Sequence, residues 1–398
     1  MFKPLRIFFS LYLATLLLLS VFFLYKIHLV GNNWTVSEWL INYTGGFTRR
    51  GFGGEILIYF SELTTLHPRQ SFFIIQSFFY SFFFIFFFFY IKSIKINFLL
   101  IISLLSPAFL LYPLAELEGL GRKEIILFVS FLLYIIFCSR IFSNLWSKFF
   151  LLVIFPSNIL IYEPIIFFYP FIIFIFILKN KILLKIKNIF FLAYLIPTIL
   201  FLYLIVINEP THFGHLKMCL DLKTKFNEEC YGALSLLISK SSIYDQFKAN
   251  VPYYNLKNIS IYFTMFLLSF GPIFFLISSF SLNNIFFDKK INGIYIFLIL
   301  LSFFPIFLLS MMDWGRAIHM AYTFTILTFL FLFKEKFFLK NYSKKFVKLN
   351  FIFVKKKIFR LSFIFFYCFT WNFKVLMTET FGSFPILRII NRFFKYIS

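Results

Sequence analysis

Three short stretches hold most of the residues that could do chemistry in this 398-residue chain. The first, Asn42 to Glu55, reads NYTGGFTRRGFGGE. Gly45, Gly46, Gly53 and Gly54 open left-handed backbone and close approach of another group. Backbone amides in such turns, and at the start of the short helix that follows, attract anions. Arg49 and Arg50 add forked, permanently charged donors that suit phosphate. The combination reads as a phosphate or pyrophosphate cradle. It is not a nucleotide signature, because it lacks the Walker spacing and a preceding strand. The competing reading makes the arginines headgroup anchors and the glycines plain turn formers.

The second stretch, ELEGLGRKE, runs from Glu116 to Glu124 and again combines carboxylates, glycines and adjacent cations, Arg122 and Lys123. Glu116 and Glu118 share a face only if the chain is extended. A carboxylate here could take a proton from an acceptor hydroxyl, or the segment could be a solvated turn with weak local pairs. The third, MMDWGRAIH, places Asp313 three residues before Arg316, a spacing that allows a pair at a helix start. The expected role of Asp313 is N-terminal cap, with Arg316 still able to reach a phosphate. Glu163 stands alone in SNILIYEPIIFFYP, where a carboxylate facing lipid would be costly, so it is expected to face a cavity or the outer interface.

The elements that must position these residues are apolar helices. The chain is 61% hydrophobic, with 70 Phe, and its mean hydropathy is +0.88. That exceeds the roughly 45–50% apolar usage of soluble domains and marks an integral membrane protein. The apolar run from Ile7 to Val30 is too long for a signal peptide and reads as a retained first span. At roughly 20 residues per crossing, further spans are expected at 71–91, 98–115, 125–138, 189–207, 259–282, 294–309, 318–333 and 361–377. Residues 149–179 are long for one span, carry Pro156, Pro164 and Pro170, and are expected to form a broken hairpin turning near Glu163.

With that hairpin, every strongly basic loop falls on one side, as the cytoplasmic bias of Lys and Arg requires. The expected architecture is all-α and polytopic, one helical membrane domain over 1–398 with about eleven segments and a cytoplasmic N-terminus. Its outer loops are 31–70, with a short helix, and 208–257; the basic loop 334–360 faces anionic lipid on the inside. Of the 16 Asp and Glu, all but Asp288 and Glu335 then fall on or near the outer face. Acids barely influence orientation, so a functional outer face is the expected cause. The formal charge of +23 therefore belongs to membrane lipids rather than nucleic acid. Cys219 and Cys230 fall in the same outer loop, where oxidising conditions allow a disulfide. His212 and His215 nearby are too loosely spaced for a metal site. The tail from Phe381 reads as a helix lying in the interface.

The outer-loop Y-x-G-G-F-x-R-R-G, the later GRKE and the DWGR before a late span resemble multi-spanning proteins of bacterial surface-polysaccharide gene clusters. Those proteins are O-antigen polymerase-like or membrane glycosyltransferases of the GT-C kind. The resemblance implies an inner-membrane enzyme using a lipid-linked saccharide, with other polysaccharide-assembly proteins as partners. It implies outer-face arginines against polyprenyl pyrophosphate, at Arg49, Arg50, Arg122 and Arg316. It also implies a catalytic acid in the first outer loop, Glu38 or Glu55, although the usual acidic pair is absent. No cofactor is demanded, with a divalent cation between carboxylate and phosphate as the one option. The rival expectation is a transporter or flippase for a lipid-linked saccharide, whose site would sit at mid-membrane in broken helices.

Overall fold

The computed structural model describes residues 3–30, 34–94, 98–139, 143–180, 192–208, 210–239, 243–278, 280–282, 291–309, 313–340, 357–376 and 382–397. Most of the basic loop 334–360 lies outside these residues. The architecture is helical, with short strands at two places: Phe280–Leu282 pairs with Ile291–Asn292 and Phe338–Lys340, and Trp371–Asn372 pairs with Gly382–Ser383.

The first half contains α1 (Lys3–Val30), α2 (Trp34–Trp39), α3 (Gly51–Thr64), α4 (Pro68–Lys92) and α5 (Phe98–Leu105). Two single-turn helices, α6 (Tyr112–Ala115) and α7 (Leu117–Leu120), lead into α8 (Glu124–Cys138). Then α9 (Ser143–Phe149) passes through a wider turn at Phe150–Ile154 into α10 (Phe155–Ile161), and α11 (Tyr169–Lys179) follows. Among the described residues, five helices are long and apolar enough to cross a membrane by themselves: Arg6–Leu29, Pro68–Lys92, Asn144–Ile161, Leu256–Ile277 and Trp314–Lys334. A sixth arises only if Leu192–Ile207 and His212–Phe226, bent by 96°, are joined.

This is fewer than the eleven segments the apolar runs suggest, and proline explains much of the difference. Pro107 follows directly on the end of α5, and Pro305 precedes the Ile306–Leu309 helix, as expected where proline disfavours helix at the residue before it. At Pro107 the irregular backbone is enclosed by protein, since Ser106, Ala108, Phe109 and Leu111 are all buried, whereas Phe304 and Pro305 are exposed. The break expected near Glu163 is present. Tyr162 is extended (φ −157°, ψ 98°), α11 packs back on α9, and the Phe155 and Tyr169 rings lie 5.1 Å apart.

The Trp314–Lys334 helix is the axis of the molecule, with 89% of its most apolar window buried against 33% for α1 and for α4. The outer helices turn apolar side chains such as Leu18, Phe78 and Phe89 outward, as a lipid-facing surface requires. Beyond the helix ends, α2, α3 and the 212–239 region share a separate small core around Trp39, Leu57, Phe72, Met218 and Leu222. The 34–70 and 210–239 regions therefore fold together as one cap. Glu228 is gripped by the Arg69 guanidinium, and the His67 ring meets the Phe226 carbonyl at 2.9 Å.

Candidate functional site

Under the cap, five places in the chain deliver charge to one buried cluster. Glu38, on α2, is fully buried. Its Oε2 accepts a hydrogen bond from Arg122 Nη1 at 2.8 Å. Its Oε1 faces Arg50 Nη1 at 3.6 Å and Arg316 Nη2 at 3.5 Å, ion-pair distances too long for hydrogen bonds. Arg50 Nε and Nη2 fork onto Glu163 at 2.8–3.0 Å. Arg316 pairs with Glu124 and, at 3.2 Å, with Asp313. Lys123 Nζ donates to the Arg50 carbonyl at 2.8 Å and stands 5.8 Å from the centre of the Trp39 ring. Tyr162, at the helix break, lies between two guanidiniums, with Arg50 at 5.0 Å and Arg316 at 4.7 Å from its ring centre. Such stacking favours arginine over lysine.

The local sequence explains how these groups are held. The Leu120–Arg122 turn presents its carbonyls to helix side chains: Tyr80 donates to Leu120 O, Gln76 to Gly121 O and Arg122 O, and Trp39 Nε1 to Gly121 O. Gly121 is required because a Cβ there would lie 2.6 Å from the Thr35 hydroxyl on α2. Arg50 adopts left-handed backbone (φ 62°) at the entry to α3. That conformation costs about 1 kcal/mol or more in a residue with a Cβ, yet it is held by arginine in a loop where glycine is plentiful.

Charge settles the protonation states. Burial works to raise the Glu38 carboxyl, but Arg316, Arg122, Arg50 and Lys123 outweigh it and hold the group well below the usual carboxylate range. Glu163 is likewise lowered, its burial outweighed by Arg50. Lys123 moves the other way: burial, aided by Arg50, lowers its ammonium to about 8 against the pull of Glu38 and Glu163. Some polar atoms remain without hydrogen-bond partners, among them Glu38 Oε1, Arg122 Nε and Arg316 Nη2. Buried donors left in this state favour an added anion.

Compared with models of protein families, with curated proteins and with solved structures, the chain matches none. The function has to be argued from the site.

The remaining residues singled out in the sequence have other surroundings. Glu116 is buried outside the cluster and pairs with Arg388 of the C-terminal helix Pro385–Ile397; burial raises its carboxyl and Arg388 opposes that. Glu118 is exposed on α7. Glu55 is exposed and accepts the Tyr43 amide at 2.8 Å. Arg49 is half-buried and its charge helps to lower the Glu163 carboxyl. Asp313 sits at the N-cap position but makes no capping hydrogen bond, because its carboxylate is turned to Arg316. Gly45 and Gly54 serve backbone packing: a Cβ would lie 1.9 Å from Gly214 O and 1.8 Å from Ile41 O respectively. Gly46 has φ 111°, and Gly53 has ordinary room, with Ile161 and Lys123 nearest. Cys219 and Cys230 form a disulfide. His215 meets both sulfurs, but bonded sulfurs are not the thiolates a metal needs.

Sequence reasoning missed Glu124 and Tyr162 as members of the cluster. Each had a signal: Glu124 follows Arg122 and Lys123 at the start of an apolar helix, and Tyr162 precedes the isolated Glu163.

Proposed function

We propose that the protein transfers or polymerises sugars carried on polyprenyl phosphate or pyrophosphate at the outer face of a bacterial inner membrane, in surface-polysaccharide synthesis. The observation that supports this best is the convergence of Arg50, Arg122, Arg316 and Lys123 on Glu38 under the cap. On this reading the shorter helices complete about eleven crossings with a cytoplasmic N-terminus. The far end of the helices fits the inner side: Lys179 pairs with Glu335 at 2.8 Å, and Lys334 stands 4.2 Å from the Tyr90 ring centre.

The arrangement suits an exchange of anions. Without substrate, Glu38 occupies the arginines. A pyrophosphate offers them more charge and more acceptor oxygens, and bidentate pairing favours it over a single carboxylate oxygen. Once the guanidiniums turn to phosphate, burial of Glu38 is opposed by Lys123 instead of by four cations, so its proton affinity rises. It then takes the proton of an acceptor hydroxyl as the hydroxyl oxygen bonds to the anomeric carbon. The bond from that carbon to the phosphate oxygen breaks, its electron pair leaves with the phosphate, and the arginines stabilise the charge that develops. Glu55, Glu116 and Glu118 are less suited than Glu38, since none of them contacts this cluster. The scheme demands no cofactor.

The test is glycan extension in cells carrying Arg50→Ala or Arg122→Ala, with membrane insertion checked by immunoblot. Arg49→Ala belongs in the series as a milder change. Long-chain glycan should disappear in the first two. Normal glycan in both at normal protein levels would sink the proposal. Product formed in vesicles whose lipid-linked substrate is already on the outer leaflet supports transfer, and its absence there supports the transport alternative.

A further inference from the structure

The cap carries a half-open cavity of about 360 Å³ beside the turn that leads into Arg50. Its walls come from both outer loops: Gly45, Gly46, Phe47 and Thr48 on one side, Asn208 and His215 on the other. Small-molecule sites span about 300–1,000 Å³, so it suits a single small ring. Among the described residues that line it there is no Asp, Glu, Lys or Arg. Burial lowers His215 from its ordinary value. The described lining combines amide, hydroxyl, imidazole and backbone groups with apolar Ile207, Pro210, Met218 and Leu237, and Phe47, stacked on Tyr43 at 5.3 Å, adds an aromatic wall.

Two details indicate a built site. The Thr48 side chain is buried in the cavity wall and its hydroxyl has no hydrogen-bond partner, a cost that a ligand hydroxyl would remove once the side chain turns toward the cavity. Gly45 and Gly214 pack backbone against backbone, since a Cβ on Gly214 would lie 2.4 Å from Gly45 O. Across the cavity, the disulfide at Cys219 fixes the helix that carries His215. Thr48 is two residues from Arg50, and its carbonyl accepts the Gly51 amide at 3.3 Å, so cavity and arginines share one turn.

We infer that this cavity binds an uncharged pyranose, through hydroxyl-matching groups and one aromatic face, next to the phosphate-binding arginines. Such a ring has an apolar face for Phe47 and hydroxyls for Thr48 and for the amide oxygen of Asn208, whose Nδ2 donates to Leu204 O at 2.8 Å. Its place in catalysis, as a sugar unit of the donor or acceptor, rests on the proposed function; its binding does not.

The experiment uses the full chain in lipid nanodiscs and saturation-transfer NMR. Methyl glucoside, methyl galactoside and N-acetylglucosamine are the neutral probes, with glucuronate and inorganic phosphate as charged controls. At least one neutral sugar should bind, and Thr48→Val and Asn208→Leu should each weaken it roughly three- to tenfold, the worth of one hydrogen bond. Binding of none of the neutral sugars, or affinities unchanged in both variants, overturns the inference. Farnesyl pyrophosphate, titrated on the same nanodiscs, reports on the arginines separately. Sugar binding without pyrophosphate binding leaves the pocket standing and counts against the proposed function, and the reverse result removes the pocket alone.

Discussion

Glu38 is the residue on which the site turns, because one fully buried carboxylate neutralises parts of three guanidiniums. Removing one partner of a buried pair leaves an uncompensated charge and costs about 3–5 kcal/mol. Arg122→Ala should therefore destabilise the protein by that amount. Adding Glu38→Gln should recover much of the loss, as a double-mutant cycle read by thermal unfolding in detergent would show. Lys123 makes a prediction about pH. Its folded value, about 8, lies below its ordinary 10.5, so between those limits the unfolded chain holds the extra proton and stability rises with pH. Thermal midpoints of the wild type should climb over pH 8 to 10 relative to Lys123→Met, and parallel curves would contradict the assignment. The types and neighbours of Arg50, Arg122, Lys123 and Arg316 made them visible in the sequence. Their partners were not, because Arg122 and Glu38 are 84 positions apart and Arg316 and Glu124 are 192 apart, and no local pattern encodes such pairings.

Among the elements, the glycine-rich turn divides into positions that pack and positions that do not. Gly45→Ala and Gly54→Ala put a Cβ within 2 Å of a carbonyl oxygen and should each cost about 1–3 kcal/mol, the usual range for overpacking. Gly53→Ala meets its nearest atom at 3.6 Å and should be tolerated; fluorescence-detected size exclusion after heating would rank the three. Five glycines in fourteen residues announced a special backbone, but whether a ligand or another loop approaches it depends on residues near 214. The break at Tyr162 was better encoded, since Pro156, Pro164 and Pro170 interrupt an apolar run and Glu163 needs polar company. The C-terminal helix was recognisable by its basic face, while its attachment to Glu116 through Arg388 came from a contact 272 positions long.

Across the whole molecule, a membrane bundle carries a cap made of two distant loops. The disulfide closes a short loop in that cap, a constraint worth about 3 kcal/mol in the chain-entropy account. Reduction, or Cys219→Ser, should lower the protein's thermal midpoint by a similar free energy, and the same midpoint with and without reductant would argue against an oxidised cap. By itself, the sequence determined that the chain lives in a membrane and is helical. Those follow from apolar surface and from the need to satisfy the backbone within each segment, both local quantities. It also determined which cations stand out. Only the tertiary structure decided that Arg50, Arg122 and Arg316 meet at Glu38, that Glu116 and Asp313 are held in other pairs, and that the two outer loops line a cavity. Convergence depends on how helices pack and where they break, and packing is a property of surfaces far apart in the chain.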